Sequence, residues 1–288
     1  MLGCAQPIAE VAQSTQSAPE PNPTATAVPS DTATAAPTAT ATLEPTQTST
    51  ATVTNTPTSS PTDTPTITPI PDLNTALGAH FTFSGNADDS TGNENHGTVT
   101  GATLVEDRFG RPDEAYLFDG VDDFIQVAHS GTIGLQFDST VSAWVFVEEQ
   151  VEDTWYSVIE KTDPERHGHS RWGIWLIGDQ AEFCVQTYSV PFHYCLDSLE
   201  PVGPQKWHHI VGVWTGDTIQ LYIDGELSLE KTHSKDVISN TGHPLFFGTD
   251  PHNTKALYTK MQLDDVRIYQ RKLSAEEVEE LYVLESAP

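Results

Sequence analysis

The chain has 288 residues, 41 acidic against 13 basic, for a net charge of −28. A surface this negative repels phosphate backbones and excludes nucleic acid as a partner. No run of 18 or more apolar residues is present, so no transmembrane helix is expected.

Residues 15–71 are dominated by Thr, Ala, Pro and Ser and contain no Lys, Arg, Phe, Tyr or Trp. Such a segment buries too little apolar surface to offset the entropy of ordering its backbone. The expectation is a disordered Thr/Pro/Ala-rich stalk over 1–71, with local polyproline II character at about 3 Å per extended residue. It opens Met1-Leu2-Gly3-Cys4-Ala5, which resembles the end of a bacterial lipoprotein signal, with Cys4 as the lipidation site and a membrane lipid anchor as the consequence.

All six Trp, eight Tyr and eleven Phe follow Pro71, so the folded domain is placed at 72–288. Short β-rich runs alternate there with turn clusters about every ten residues, the pattern of an all-β sandwich. The expected strands are Ala79–Phe83, Ala115–Phe118, Phe124–Ala128, Thr140–Val147, Tyr156–Lys161, Trp172–Ile177, Glu182–Tyr188, Trp207–Trp214, Thr218–Ile223, Leu245–Gly248 and Gln262–Tyr269. In Thr218–Ile223 the residues Ile219, Leu221 and Ile223 share one face, and Asp224-Gly225 then closes a tight hairpin. Cys184 and Cys195 lie symmetrically about Ser189-Val190. If that stretch is a hairpin they face each other, as a cross-strand disulfide in an oxidising compartment or as two buried thiols; the disulfide is the expectation. One helix is expected, at the C-terminus. Ser274 and Glu277 form a capping box, and Val278, Leu281 and Tyr282 make one apolar face to pack on an edge or end of the sandwich.

Four motifs in order carry a family resemblance: Asp88-Asp89-Ser90-Thr91-Gly92-Asn93-Glu94-Asn95-His96-Gly97 with the turn Phe118–Asp123, Val141–Val145, Trp207–Trp214 with Leu221–Gly225, and Leu263–Tyr282. Together they resemble bacterial laminin-G-like domains of the concanavalin A-like lectin/glucanase superfamily over residues 76–283. Thr259–Leu263 departs from the pattern by lacking its usual Gly. The resemblance implies a two-sheet antiparallel jelly roll that binds glycans or proteins, with a structural calcium near the termini. Calcium takes six to eight hard oxygens. The implied ligands are Asp88, Asp89, Asn93, Asn95 and the carbonyl of His96, completed by Asp264 or Asp265. Read from residues alone, the same loop is a solvated turn rich in Asp, Asn and Gly.

Sugars have apolar faces and polar rims, so a glycan site needs aromatic rings beside hydrogen-bonding groups. Trp155, Tyr156, Trp172, Tyr188 and His193 are the candidates. Trp172 and Trp175, three apart in a strand, face opposite ways, so only one is core. No strand carries the E-x-D-x-x-E pattern of laminarinase-like enzymes, and no Gly-x-Ser-x-Gly or HExxH is present, so no catalytic residue is assigned. The expectation is a non-enzymatic, cell-surface binding module for a carbohydrate or an extracellular protein. The alternatives are a protein-adhesion domain and, behind it, a glycoside hydrolase.

Overall fold

The computed structural model describes residues 72–135, 137–149, 155–162, 170–187, 193–233, 238, 242–251 and 257–288. All lie in one compact unit, Pro65–Pro288. The strands in chain order are β1 (Leu77–Phe81), β2 (Gly97–Thr100), β3 (Thr103–Val105), β4 (Ala115–Asp119), β5 (Phe124–Val127), β6 (Ser139–Val147), β7 (Trp155–Thr162), β8 (Ser170–Ile177) and β9 (Gln180–Gln186). They continue with β10 (His193–Asp197), β11 (Trp207–Trp214), β12 (Thr218–Ile223), β13 (Glu226–Thr232), β14 (Leu245–Phe247), β15 (Thr249–Asp250), β16 (Leu257–Tyr258) and β17 (Lys260–Tyr269), and end with helix α1 (Ala275–Glu285).

Two antiparallel sheets form the sandwich. The eight-stranded sheet runs β13-β12-β11-β6-β17-β4-β3, with β1 also paired to β17. The seven-stranded sheet runs β10-β9-β8-β7-β14-β5-β2. Alternation decides what each strand buries. Ile219, Leu221 and Ile223 of β12 point into the core between the sheets, where Phe183 and Val185 of β9 and Trp172, Ile174 and Leu176 of β8 meet them. Each such side chain contributes about 1.5–3 kcal/mol relative to exposure. At Gly212 of β11 the sheets leave no room for a side chain: a Cβ there would sit 2.4 Å from the Phe183 ring.

The Asp224-Gly225 hairpin forms as expected, with φ of 51° and 85°, both in the left-handed region that such a turn demands. Cys184 and Cys195 pair directly across β9 and β10 and are joined as a disulfide. The capping box is present: Ser274 Oγ accepts from the Glu277 amide, and the Glu277 carboxylate accepts from the Ser274 amide. The helix does not sit on an edge, however. Val278 and Leu281 pack with Val211, Val213, Tyr222 and Tyr269 on the outer face of the eight-stranded sheet, forming a second, smaller core. Val211, Val213 and Tyr222 alternate with core residues, so this sheet is apolar on both faces there and needs a cover.

The segment that lacks the family's Gly is ordinary ladder, with Met261 paired to Phe118 on one side and Val147 on the other. The irregularity falls later. Asp265 takes φ 41°, between the stretch of β17 that pairs with β4 and the stretch that pairs with β1.

Candidate functional site on the outer face of the seven-stranded sheet

Because Phe183 and Val185 point inward, Glu182, Cys184 and Gln186 of β9 point outward. Cross-strand register extends this face into rows. One row runs Cys195, Cys184, Gly173, Glu160, Phe246, Gln126, Thr98 across all seven strands. The next runs Asp197, Glu182, Trp175, Ser157, and beyond it stand Gln180, Ile177 and Trp155. Trp175 lies over Gly173, where a Cβ would come within 2.5 Å of its ring. Any other residue at 173 would lift the indole off the sheet. Phe124 and Phe246 add a second aromatic patch, with centroids 6.3 Å apart. The face is recessed at Trp175, 8% exposed, and opens at both ends: at Trp155, 50% exposed, and at the exposed Gln126 and Thr98.

The acids of this face are unusual. Glu160 is fully buried and accepts from Ser157 Oγ at 3.2 Å. Glu182 is 7% exposed, and its Oε2 has no hydrogen-bond partner among the described residues. Burial, reinforced by the neighbouring charge of Asp197, pushes the Glu182 carboxyl up to about 7. A protonated glutamate donates as well as accepts, which a sugar hydroxyl can use from either side.

Of the residues expected to contact a ligand, Trp155 lies on this face. Tyr156 and Trp172 do not: both are in the core between the sheets, because alternation places them opposite Trp155 and Trp175. His193 opens strand β10, but its side chain, like Tyr188 and Cys4, lies outside the described residues. Of the pair Trp172 and Trp175, which the spacing sets on opposite faces, it is Trp175 that lies here; Glu182 is not among the sequence candidates. Glu182 is detectable in principle from its alternation with Phe183 and its shared face with Cys184.

The expected calcium ligands fall into three groups. Asp89, Asn93 and Asn95 form one knot. Asp89 Oδ1 accepts from the His80 amide (3.1 Å), the Thr91 amide (3.0 Å) and Thr91 Oγ1 (2.7 Å). Its Oδ2 accepts from the Asn95 amide and Nδ2 (3.2 and 2.9 Å). Asn93 Nδ2 and Asn95 Nδ2 both donate to the Gly78 carbonyl, and Asn95 Oδ1 accepts from Ser130 Oγ. Asp88 and His96 face solvent and pair with each other at 3.3 Å. Asp264 and Asp265 turn to Arg108, whose guanidinium bonds both carboxylates, while His80 Nε2 lies 3.0 Å from Asp265 Oδ1. The Asp89 oxygens are thus taken by N–H and O–H donors, and a guanidinium stands beside Asp264 and Asp265. As arranged, these three carboxylates do not form a calcium shell.

Arg108 belongs to a larger buried network under α1. Its Nε donates to the Glu285 carbonyl at 2.8 Å. The Glu285 carboxylate accepts from Arg267 Nε (2.6 Å) and Trp144 Nε1 (2.8 Å). His209, fully buried, shares a 2.7 Å hydrogen bond with Ser142 Oγ, and burial pulls its imidazole down to about 3, so it is neutral. Asp224 ties in the hairpin. Burial would raise its carboxyl, but hydrogen bonds from His208, His209 and Lys206 outweigh this and hold it at about 2.

Comparison with known proteins follows the same lines. The profile of the Laminin_G_3 family, concanavalin A-like lectin/glucanases superfamily, matches residues 119–279. A search of curated protein sequences finds no match. Among solved structures, the chain is similar to the binding domain of Paraclostridial Mosquitocidal Protein 1 (TM-score 0.62, 20% identity, 73% of this chain and 52% of that one). It is also similar to the ligand-binding domain of botulinum neurotoxin serotype D in complex with N-acetylneuraminic acid (0.60, 17%, 74% and 52%). A third similar structure is domain 4 of AbnA, a GH43 extracellular arabinanase from Geobacillus stearothermophilus, in complex with arabinotriose (0.56, 21%, 72% and 98%). The chain spans about half the length of the toxin domains and nearly all of the arabinanase domain. At these identities the likeness is one of fold.

Proposed function

The chain belongs to the Laminin_G_3 family of the concanavalin A-like lectin/glucanase superfamily, and from that premise we propose that it is a non-catalytic carbohydrate-binding module. One observation carries the reading. Trp155, Trp175 and the Phe124–Phe246 pair share a sheet face with a buried carboxyl, Glu182, that has an unpartnered oxygen. Aromatic faces hold the apolar side of a sugar ring, and an unpaired buried polar atom costs free energy until a ligand satisfies it. The complexes of similar domains with arabinotriose and N-acetylneuraminic acid make a glycan the first ligand class to test.

The same proposal makes the module extracellular. The Cys184–Cys195 disulfide suits an oxidising compartment. Among the described residues no helix is long and apolar enough to cross a membrane. A Thr/Pro stalk and a lipid at Cys4 would complete a surface display, and both concern residues outside those described. The non-catalytic part rests on one feature: no strand carries the laminarinase-like acid pattern.

The test is a glycan array with neutral and sialylated oligosaccharides, using the full chain and Trp155→Ala. Trp155 is half exposed, so its truncation leaves the fold intact. Binding to a defined sugar, weakened about tenfold by the substitution, is expected, since one aromatic contact is worth about 1.5 kcal/mol. A blank array from folded protein would sink the reading. Release of reducing sugar from a bound oligosaccharide would replace it with a hydrolase.

A further inference from the structure

A groove of about 590 Å³ lies between α1 and the β12–β13 hairpin, on the helix-covered side of the molecule. That is within the range of about 300–1,000 Å³ that encloses most of a small ligand or a few side chains. Tyr222, Tyr282 and the backbone of Gly225 line it. A Cβ on Gly225 would fall 2.9 Å from the Tyr282 ring, so the turn of the hairpin abuts the helix. Leu227 and Val283 give the groove apolar walls although they are 48% and 61% exposed. Leu284 beside it is also exposed. Its rim carries the exposed carboxylates of Glu226, Glu276 and Glu279. Among the described residues no Lys or Arg lines it, and nearby Lys206 is engaged with Asp224 at 3.1 Å.

Charge identifies the occupant. Residues 1–71 contain five acids and no Lys or Arg, so the chain's own N-terminal segment has no basic side chain to offer this rim. A second copy would bring another −28 to the contact. We propose that this groove docks a segment of a different protein that carries lysine or arginine beside an apolar side chain. The cation meets the glutamates at the rim while the apolar neighbour covers Leu227 and Val283. The inference is independent of the sugar reading, which concerns the other sheet.

The probe is a synthetic peptide of alternating leucine and lysine, titrated against the full chain by fluorescence anisotropy. Glu276→Gln with Glu279→Gln is expected to weaken binding about tenfold, and Leu227→Ser with Val283→Ser by at least about threefold. All four positions are exposed, and circular dichroism melting confirms that each variant folds. Asp119→Asn with Asp122→Asn, on a distant exposed turn, is the control and leaves affinity unchanged. Equal weakening by the control pair would show general charge attraction and overturn the proposal. So would equal affinity for a leucine–glutamate peptide, or no binding of either peptide.

Discussion

The outer faces of the two sheets both bury acidic side chains and treat them in opposite ways. Under α1, Asp264, Asp265 and Glu285 meet Arg108, Arg267, His80 and the Trp144 indole, so each of these acids has a donor within the fold. On the seven-stranded sheet, Glu182 meets another acid, Asp197, and keeps an unpartnered oxygen. A satisfied buried network is worth keeping for structure alone. A buried acid without a partner costs stability, and such costs concentrate where a ligand will repay them. The comparison separates a face whose acids are paired with bases from one that sets two acids side by side.

Arg108→Ala tests the first face most severely. It strands Asp264 and Asp265 as buried charges, and a loss of about 3–5 kcal/mol is expected in denaturant melts. A loss below about 1 kcal/mol would mean the pair is solvated and the network incidental. Next comes the disulfide. Replacing Cys184 and Cys195 with Ala opens a short loop, with a sequence separation of 11, and should cost about 2–3 kcal/mol. Because it also frees the strand holding Asp197, sugar affinity should fall with it.

Glu182 sharpens the contrast through pH. Held near 7 in the fold against 4.5 when exposed, it keeps its proton in the folded chain after the unfolded chain has lost it. Its contribution is therefore complete below about pH 4.5 and fades as pH rises through 7. The melting temperature should drop a few degrees between pH 5 and pH 8, and Glu182→Gln should reduce that slope while abolishing ligand binding, the remainder coming from Asp264 and Glu285, whose carboxyls burial also pushes up, to about 8 and about 7. An identical slope in the variant would assign it elsewhere. The smallest expected effect is that of calcium. With Asp89 saturated by donors and Arg108 beside Asp264 and Asp265, melting temperatures in calcium and in chelator should agree within about a degree. A clear rise with calcium would show that the N-terminal loop rearranges around the ion.

Much of the frame was readable in the residues, because it rests on local rules. Trp207–Trp214 and Thr218–Ile223 alternate cleanly and form strands with those bounds. The Ser274–Glu277 box and the Asp224-Gly225 turn are short-range chemistry, and so is the symmetry that pairs the cysteines. The site was less readable because it depends on which strands lie side by side. The spacing of Trp172 and Trp175 shows that they face apart, but not which faces the core. Arg108 stands in a loop with no motif, 156 residues from Asp264, and only the packing of the sheet brings them together. Even β2 and β3, at four and three residues, are too short to show a period.

Leu73 and Leu77 pack against the helix-side core, beside Leu281 and Tyr269. The chain therefore enters the domain on the same side where α1 ends it. The Trp175 face belongs to the other sheet, so the start of the folded domain and that face lie on opposite sides of the sandwich.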